Sequence, residues 1–399
     1  MKEGWQIKIL DELCEIFGRI GYRGYTKNDL VSTPEEGAIT LSPTNIIDGE
    51  LHYDKCSYIT WEKYEESPEI MVFEGDIVLV KTASIGKCAL VRKLPHKATL
   101  NPQFVVLKKI KANNQYLTYF LQSPIAQKKF QEYAIGTAIP TFSQKKLGTL
   151  EVPIPPLSEQ QRIVSLLDAE FAKIDALKAN AEKNLQNAKD LFQAALKKEL
   201  EPKEGWNAKT LGDVCSIVNG GTPSTSVLSY WDGGVQWLTP KDMSGLTSKY
   251  VDKGERTISQ KGVEHSSAKV LPAQSVILSS RAPIGYVAIN IVPMATNQGC
   301  KGIVPMKEIQ SEYLYYFLIK SNDLLNSLGT GATFKELSGG KLASITIPFP
   351  IRSEQQRIVI RLDSLNERCK TLQDNYTKTI ALCDDLKQAL LRKAFNGEI

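Results

Sequence analysis

The hexapeptide Ser-Glu-Gln-Gln-Arg-Ile occurs twice in this chain, at residues 158–163 and 353–358. Each copy follows a proline-rich, strand-like run, Val-Pro-Ile-Pro-Pro-Leu in one case and Ile-Pro-Phe-Pro-Ile-Arg in the other, and each opens a long helical pattern. The copies stand 195 positions apart, far above the roughly 20–50 residues of a solenoid repeat. The unit that repeats is therefore a whole domain followed by a helix.

The amino-terminal boundary of the repeat is also visible. Lys2-Glu3-Gly4-Trp5, with Leu10, Leu13, Cys14 and Ile16 behind it, returns as Lys203-Glu204-Gly205-Trp206 with Leu211, Val214, Cys215 and Ile217. Between this boundary and the hexapeptide, short β-like runs such as Ile77-Val78-Leu79-Val80 and Phe104-Val105-Val106-Leu107 alternate with glycine- and proline-containing turns. Two helical segments, Gln115 to Leu121 and Glu312 to Leu318, hold matching places in the two halves. A shared turn reads Ala83-Ser84-Ile85-Gly86 in one half and Ala282-Pro283-Ile284-Gly285 in the other, each just after a strand and a basic residue, Lys81 or Arg281. A hairpin turn and a ligand-contacting loop are both compatible with this pattern.

The expected fold class is α+β: two β-rich α/β domains in tandem, separated by two long helices that form an antiparallel coiled coil. The expected boundaries are 1–157, 158–201, 202–352 and 353–399. Ser158 with Gln161, and Ser353 with Gln356, match the S-x-x-Q capping pattern at a helix start. Ile163, Leu167, Phe171, Ile174, Leu177, Ala181, Leu185, Ala188 and Phe192 then fall in steps of three and four. So do Ile358, Leu362, Leu365, Cys369, Leu372, Tyr376, Ile380, Cys383, Leu386 and Leu390, giving two seams close to a heptad.

The net charge of +5 is mild, but its distribution is polarised: residues 77–146 carry 12 Lys or Arg against one acid, whereas residues 1–76 carry 7 against 16. A basic stretch of this kind fits a polyanion binder, and pairing between the two stretches inside one domain fits equally. Seven cysteines without a C-x-x-C pair, and three scattered histidines, signal neither a disulfide framework nor a zinc site. The opening residues lack a signal-peptide pattern and no run reaches the ~18 apolar residues of a membrane span, so a cytoplasmic protein is expected.

Motifs for chemistry are weak. Asn101-Pro102-Gln103-Phe104 resembles the N-P-P-F signature of adenine amino-methyltransferases but departs at its third position, and no F-x-G-x-G loop is present for S-adenosylmethionine. Gly86-Lys87-Cys88 and Gly340-Lys341-Leu342 lack the other elements of a P-loop, and Gly329-Thr330-Gly331-Ala332 lacks the third glycine of a dinucleotide fingerprint. A non-catalytic binding protein is the expectation. A self-contained adenine-N6 DNA methyltransferase and a coiled-coil protein scaffold without DNA binding are the alternatives.

Further segments carry a family resemblance: Gly220-Gly221-Thr222-Pro223-Ser224, Tyr230-Trp231-Asp232-Gly233-Gly234, Trp237-Leu238-Thr239-Pro240-Lys241-Asp242-Met243 and Ala295-Thr296-Asn297-Gln298-Gly299. With the duplicated hexapeptide region they resemble the specificity subunits of type I restriction–modification systems, over nearly the whole chain. The resemblance implies a subunit without catalytic residues whose two target-recognition domains each read part of a bipartite site in double-stranded DNA, with the helices as a ruler. It implies two modification (methyltransferase) subunits and restriction (endonuclease and translocase) subunits as partners, and no membrane. No cofactor is expected in this chain, with S-adenosylmethionine, ATP and Mg on the partners. The candidates for DNA contact are Arg23, Tyr25, Lys81, Ser84, Lys87, Lys241 and Arg281. Gln160, Arg162, Gln355 and Arg357 are candidates either to dock partner subunits or to tie helix to domain. The first half departs from the pattern, with Leu41-Ser42-Pro43-Thr44-Asn45 where the second has Leu238-Thr239-Pro240-Lys241-Asp242.

Overall fold

The computed structural model of the chain describes residues 4–331 and 335–399; Lys2 and Glu3 of the repeated opening and Ala332 of the glycine-rich segment lie outside the described residues. The chain divides into two compact units, Met1–Glu182 with Lys378–Ile399, and Lys183–Thr377. No described helix is long and apolar enough to cross a membrane.

Unit 1 is built on two four-stranded sheets. One has the order Glu15–Phe17, Phe104–Lys108, Ile77–Val80, Cys88–Leu90 and is antiparallel. The other has the order Ala98–Leu100, Gly37–Leu41, Ser57–Thr60, Leu30–Val31 and opens with a parallel pair. The continuous apolar run of Ile77–Val80 has a simple cause. Side chains alternate across a strand, so Ile77 and Leu79 enter one core while Val78 and Val80 enter another. An antiparallel pair, Gln6–Ile9 with Glu151–Ile154, joins the start of the domain to the segment that leads into the first long helix. Helix α1 (Asn114–Gln122) packs Tyr116, Leu117, Phe120 and Leu121 into the first core. Helix α2 (Leu157–Glu199) starts there. Its Ile163, Val164 and Leu167 share that core with Leu391, Ala394 and Phe395.

Unit 2 repeats the plan. Its five-stranded sheet has the order Cys215–Asn219, Cys300–Pro305, Val276–Ser280, Ile284–Asn290, Tyr250–Val251. A three-stranded sheet has the order Arg256–Ile258, Trp231–Leu238, Met294–Thr296. The closing pair is Asn207–Thr210 with Thr346–Phe349. Helix α3 (Ser311–Lys320) corresponds to α1. Helix α4 (Arg352–Asn396) supplies Ile358, Val359 and Leu362 to a core that also takes Leu196 from the end of α2 and Leu200 just beyond it. Within each unit, then, the start of one long helix lies against the end of the other, and the helices run antiparallel. Lys178 to Asp384 at 2.8 Å bridges them in unit 1, and Arg361 to Glu199 at 3.6 Å in unit 2.

Part of each expected seam faces outward: Leu177, Leu372 and Leu386 are exposed, while Ile358, Leu362, Cys369 and Cys383 are buried. A straight helix drifts about 20° per heptad against a 3.5-residue repeat. A stripe chosen by heptads therefore leaves the contact, and Leu391, Ala394 and Phe395 take its place against the domain.

The duplicated hexapeptide begins one residue inside its helix in both copies. The first helical turn is closed by backbone carbonyls, with Gln160 N donating to Pro156 O at 3.0 Å and Gln355 N to Ile351 O at 3.1 Å. The glutamines expected to close a capping box instead reach across to the domain. Gln161 Oε1 accepts from Asn113 Nδ2 at 2.9 Å, and Gln356 Oε1 accepts from Gln310 Nε2 at 2.8 Å. Gln160 is buried, its Oε1 accepting from Asn113 N at 2.8 Å and its Nε2 donating to Pro155 O at 2.8 Å. Gln355, fully buried, repeats this with Gln310 N at 2.9 Å and with Glu308 O and Pro350 O at 3.0 Å. Beside each joint a buried tyrosine donates to a proline carbonyl of the closing strand, Tyr116 to Pro153 at 2.7 Å and Tyr313 to Pro348 at 2.8 Å.

The joints differ in one capping bond. Asn113 Oδ1 accepts from Tyr116 N at 2.9 Å and so caps α1. Gln310 stands at the same place before α3 without a side-chain cap, and its buried Oε1 has no partner. The longer amide overshoots the orphan N–H groups of the first turn. Replacing Gln310→Asn should stabilise unit 2 by about 0.5–2 kcal/mol, measured as a higher denaturation midpoint with slower amide exchange at the start of α3.

Candidate nucleic-acid interface

In unit 1 two loops border the turn at residues 101–103. Arg19 anchors the first: its Nε and Nη2 donate to Leu100 O at 3.2 and 3.1 Å, and its Nη1 donates to Arg23 O at 3.2 Å. Burial pushes the pKa of this guanidinium down from the ordinary arginine value. Its Cζ lies 5.1 Å from the centre of the Tyr25 ring. Arg19 thus carries the loop that presents Arg23, 3.4 Å from Glu69, and Tyr25, whose hydroxyl accepts from Thr40 at 3.4 Å. The sequence reading missed Arg19. Its one signal was a basic residue among turn glycines.

The second loop is the turn at residues 83–86. Lys81 N donates to Gln103 O at 2.8 Å and Phe142 N donates to Lys81 O at 3.1 Å, so its backbone is pinned from both sides. Ala83 holds a left-handed φ of 66° and donates to Pro140 O at 2.8 Å. A non-glycine residue in that region is strained. Helix residue Gln127 clamps the turn, donating to Gly86 O at 2.9 Å. Ser84 and Lys87 are exposed, whereas Lys81 is half-buried, and burial alone lowers its pKa from the ordinary value. No acid lies within ion-pair distance of Lys81, Lys87 or Lys145 among the described residues. Elsewhere the acidic and basic stretches do pair, as Arg92 with Glu50, Lys108 with Asp76 and Lys109 with Glu15. Pairing between the two stretches therefore accounts for part of the charge pattern.

Unit 2 has the same backbone frame. Ser280 N donates to Gly299 O at 2.7 Å and Leu337 N to Ser280 O at 2.9 Å, so Ser280 stands in the place of Lys81 and Arg281 in the place of Thr82. The basic residues Lys81 and Arg281 thus precede the shared turn at neighbouring places of the frame. Neighbouring residues on an extended segment point to opposite faces, so a shift of one changes which side each serves. Ala282 repeats the left-handed φ at 52°.

The four segments that carried the resemblance converge in unit 2. Trp237 Nε1 donates to Gly221 O at 3.0 Å, and Trp231 Nε1 to Ser224 O at 3.1 Å. Gly221 N donates to Thr296 O at 2.8 Å and Asn297 N to Leu238 O at 3.0 Å. Thr239 and Asp242 form a capping box around Pro240, as Ser42 and Asn45 do around Pro43 in unit 1. The local turn is thus retained where the sequence departs, and what changes is the outward residue, Thr44 in one unit and Lys241 in the other. Lys241 is exposed and paired with Glu255 at 2.9 Å, an arrangement of little energetic weight in water.

The remaining candidates sort by burial. Gln160 and Gln355 are committed to the joints. Arg162 and Arg357 are exposed beside them, paired with Glu159 and Glu354 one turn earlier. Asn101 is also committed: its Oδ1 accepts from Gln103 N at 2.9 Å, its Nδ2 donates to Gln103 Oε1 at 3.1 Å, and Phe104 N closes on its carbonyl. Asn297 makes the same bond to Gly299 N at 3.0 Å. These are turns leading strands, which accounts for the likeness to a methyltransferase signature without catalysis.

A family model described as the type I restriction modification DNA specificity domain matches residues 2–187 and again 203–381. The chain belongs to this family. The double match falls on the two halves of the duplication. The type I restriction enzyme MjaIX specificity subunit of Methanocaldococcus jannaschii is 41% identical over 186 residues, 45% of this chain and 43% of that protein. The EcoR124I/EcoR124II specificity subunit of Escherichia coli is 33% identical over 259 residues, 61% of each chain. The chain therefore spans less than two thirds of the length of these two relatives. A chain in a structure describing complex assembly and conformational transition of the type I R-M system covers 100% of this one and 99% of its own length, with a TM-score of 0.81 and 22% identity. The HsdS subunit from Thermoanaerobacter tengcongensis gives a TM-score of 0.60 at 21% identity, covering 100% of this chain and 98% of its own. At these identities the likeness is one of fold.

Lys81 yields a prediction with a definite sign. A lysine whose pKa is depressed by folding destabilises the native state wherever it is charged, and that cost fades as pH rises through the folded value toward the unfolded one. Lys81→Met should therefore raise stability at pH 7, with the advantage shrinking toward pH 10, as read from urea denaturation at both pH values.

Proposed function

We propose that this chain is the DNA-recognition subunit of a cytoplasmic type I restriction–modification complex, each half binding one part of a bipartite double-stranded site. It supplies recognition without chemistry of its own. In this reading residues 1–157 and 202–352 are the two target-recognition domains. Methyl transfer with S-adenosylmethionine belongs to two modification subunits, and cleavage with ATP and Mg to restriction subunits.

The observation that carries the reading is one backbone frame made twice with different outward chemistry. Thr82 answers to Arg281 and Thr44 to Lys241, and half-buried Lys81 to the buried Ser280, on turns whose hydrogen bonds match. Two copies of a frame with unlike surface groups suit two unlike half-sites. The unpaired Lys81, Lys87 and Lys145 of unit 1 suit phosphate contacts, which supply affinity and position while base-edge contacts supply choice. Arg162 and Arg357, exposed on the first turns of the long helices, are the residues placed to meet partner subunits, with Gln160 and Gln355 holding those turns to the domains.

Two tests follow. The chain assembled with its modification subunits should methylate two short blocks separated by an unread spacer, and exchanging residues 1–157 for those of a relative should change one block only. Sequencing of methylated DNA reads both results, and a single contiguous block would remove the proposal. Binding to a duplex carrying the site should weaken steeply with salt, and Lys87→Met should reduce the slope of log K against log salt by about one. A salt-independent complex would favour a protein scaffold.

A further inference from the structure

Around the shared turn the two units exchange residues as a set. Unit 1 has Thr82 and Thr141, whose hydroxyls meet at 2.8 Å, with Gln103 on the neighbouring turn and Val105 on the adjacent strand. In unit 2 the corresponding places hold Arg281, Glu336, Gly299 and Lys301, as the bridges Thr82 to Thr141 and Arg281 to Glu336, and the strand registers, establish. Four substitutions on one frame change its chemistry from hydroxyl and amide to three charges.

Three members of the set are linked by charge and the fourth lies beside them. A Cβ on Gly299 would stand 3.5 Å from Arg281 Cγ, 3.1 Å from Pro240 Cγ and 3.2 Å from Asn297 Oδ1. The two tight contacts are to Pro240 and Asn297, so glycine lets two of the motif segments close on each other, with the arginine stem at ordinary van der Waals distance beside them. In unit 1 the Gln103 side chain bonds to Asn101 Nδ2 and residue 82 is a threonine. Glu336 is shared between Arg281 Nη1 at 3.8 Å and Lys301 Nζ at 3.6 Å. Lys301 is buried, so its charge is fixed against the carboxylate from within. Arg281 remains about one third exposed. Glu336 flanks its guanidinium on one side at ion-pair distance, and no other acid lies within ion-pair distance of it among the described residues.

A phosphate contact needs a positive charge and little orientation. A base contact needs a planar donor fork held at a set angle, and an arginine fork matches the O6 and N7 acceptors of guanine. We propose that Arg281 is a specificity-determining residue of unit 2 that reads a guanine through its major-groove edge, with Glu336 as its positioning residue. Resting on the DNA-recognition reading above, the assignment adds a residue and a base class to it. Unit 1, with threonines at both places, makes no such contact.

The test is the base preference of the full chain assembled with its modification subunits, measured on a randomised duplex library for the wild type, Arg281→Gln, Arg281→Lys and Glu336→Gln. Arg281→Gln should reduce the preference for guanine at one position of one half-site by roughly 5- to 150-fold, with every other position unchanged. Arg281→Lys, which keeps the charge and loses the fork, should show the same loss and decides the matter if the glutamine variant does not assemble. Glu336→Gln should weaken the preference at that same position while binding persists. An Arg281 variant that binds all sequences more weakly without altering any preference overturns the assignment in favour of a phosphate contact, and an unaltered profile overturns it outright. A wild-type complex with no base preference would instead remove the recognition reading itself.

Discussion

The buried glutamine at the head of each long helix is the contact from which the rest of each unit is arranged. An amide side chain is both donor and acceptor, and burying it costs free energy unless both functions are met. Gln160 and Gln355 meet them with main-chain groups of the neighbouring helix start and of the proline run just before them. Main-chain partners cannot rotate away, so the helix leaves its domain in one direction. The tyrosine hydroxyls on the proline carbonyls, and those of Tyr119 and Tyr316 on Asp168 and Asp363, brace the same corner.

This division of labour separates what holds the fold from what varies on it. The joints are centred on a buried, neutral glutamine in both units, and differ in the Asn113 and Gln310 exchange and in the added bond from Gln355 to Glu308 O. The outward turns share their main-chain bonding but differ in side chains. Because the left-handed alanines, the Asx turns and the capping boxes are made by the backbone and by short side chains, the exposed positions between them are free to change. Charge differences follow this line: Lys81 is left uncompensated, while Arg281 is provided with a carboxylate and a second cation behind it.

The duplication, the β-rich domains and the two long helices were legible because each leaves a long-range signal: a repeated hexapeptide, alternating apolar runs bounded by turns, and a three-four periodicity running from Ile163 to Phe192 and from Ile358 to Leu390. The helix starts were less legible. Ser158 and Ser353 carry a local capping signal, yet Pro156 and Ile351 lead the first turn because the glutamines are drawn into a tertiary contact that no local pattern encodes. Arg19 was hidden for a similar reason, since its partners Thr99 and Leu100 lie some eighty positions away. The one-residue offset stands in the sequence, with Lys81 two positions before Ala83 and Arg281 one before Ala282, and the hydrogen bonds to residues 103 and 299 show that the backbone keeps it.

The core of unit 1 takes Leu391, Ala394 and Phe395 from α4, with Phe395 against Tyr116 and Phe120 at ring-centre distances of 5.2 and 5.3 Å. The ion pair between Asp175 and Lys387 in the same unit joins residues 212 positions apart. Unit 2, by contrast, is one uninterrupted segment. During synthesis from the amino terminus, unit 2 can therefore close while unit 1, although translated first, still exposes the apolar face of α2. The half that is made first is the half that is finished last, and it depends on the other having emerged before it can bury its own core.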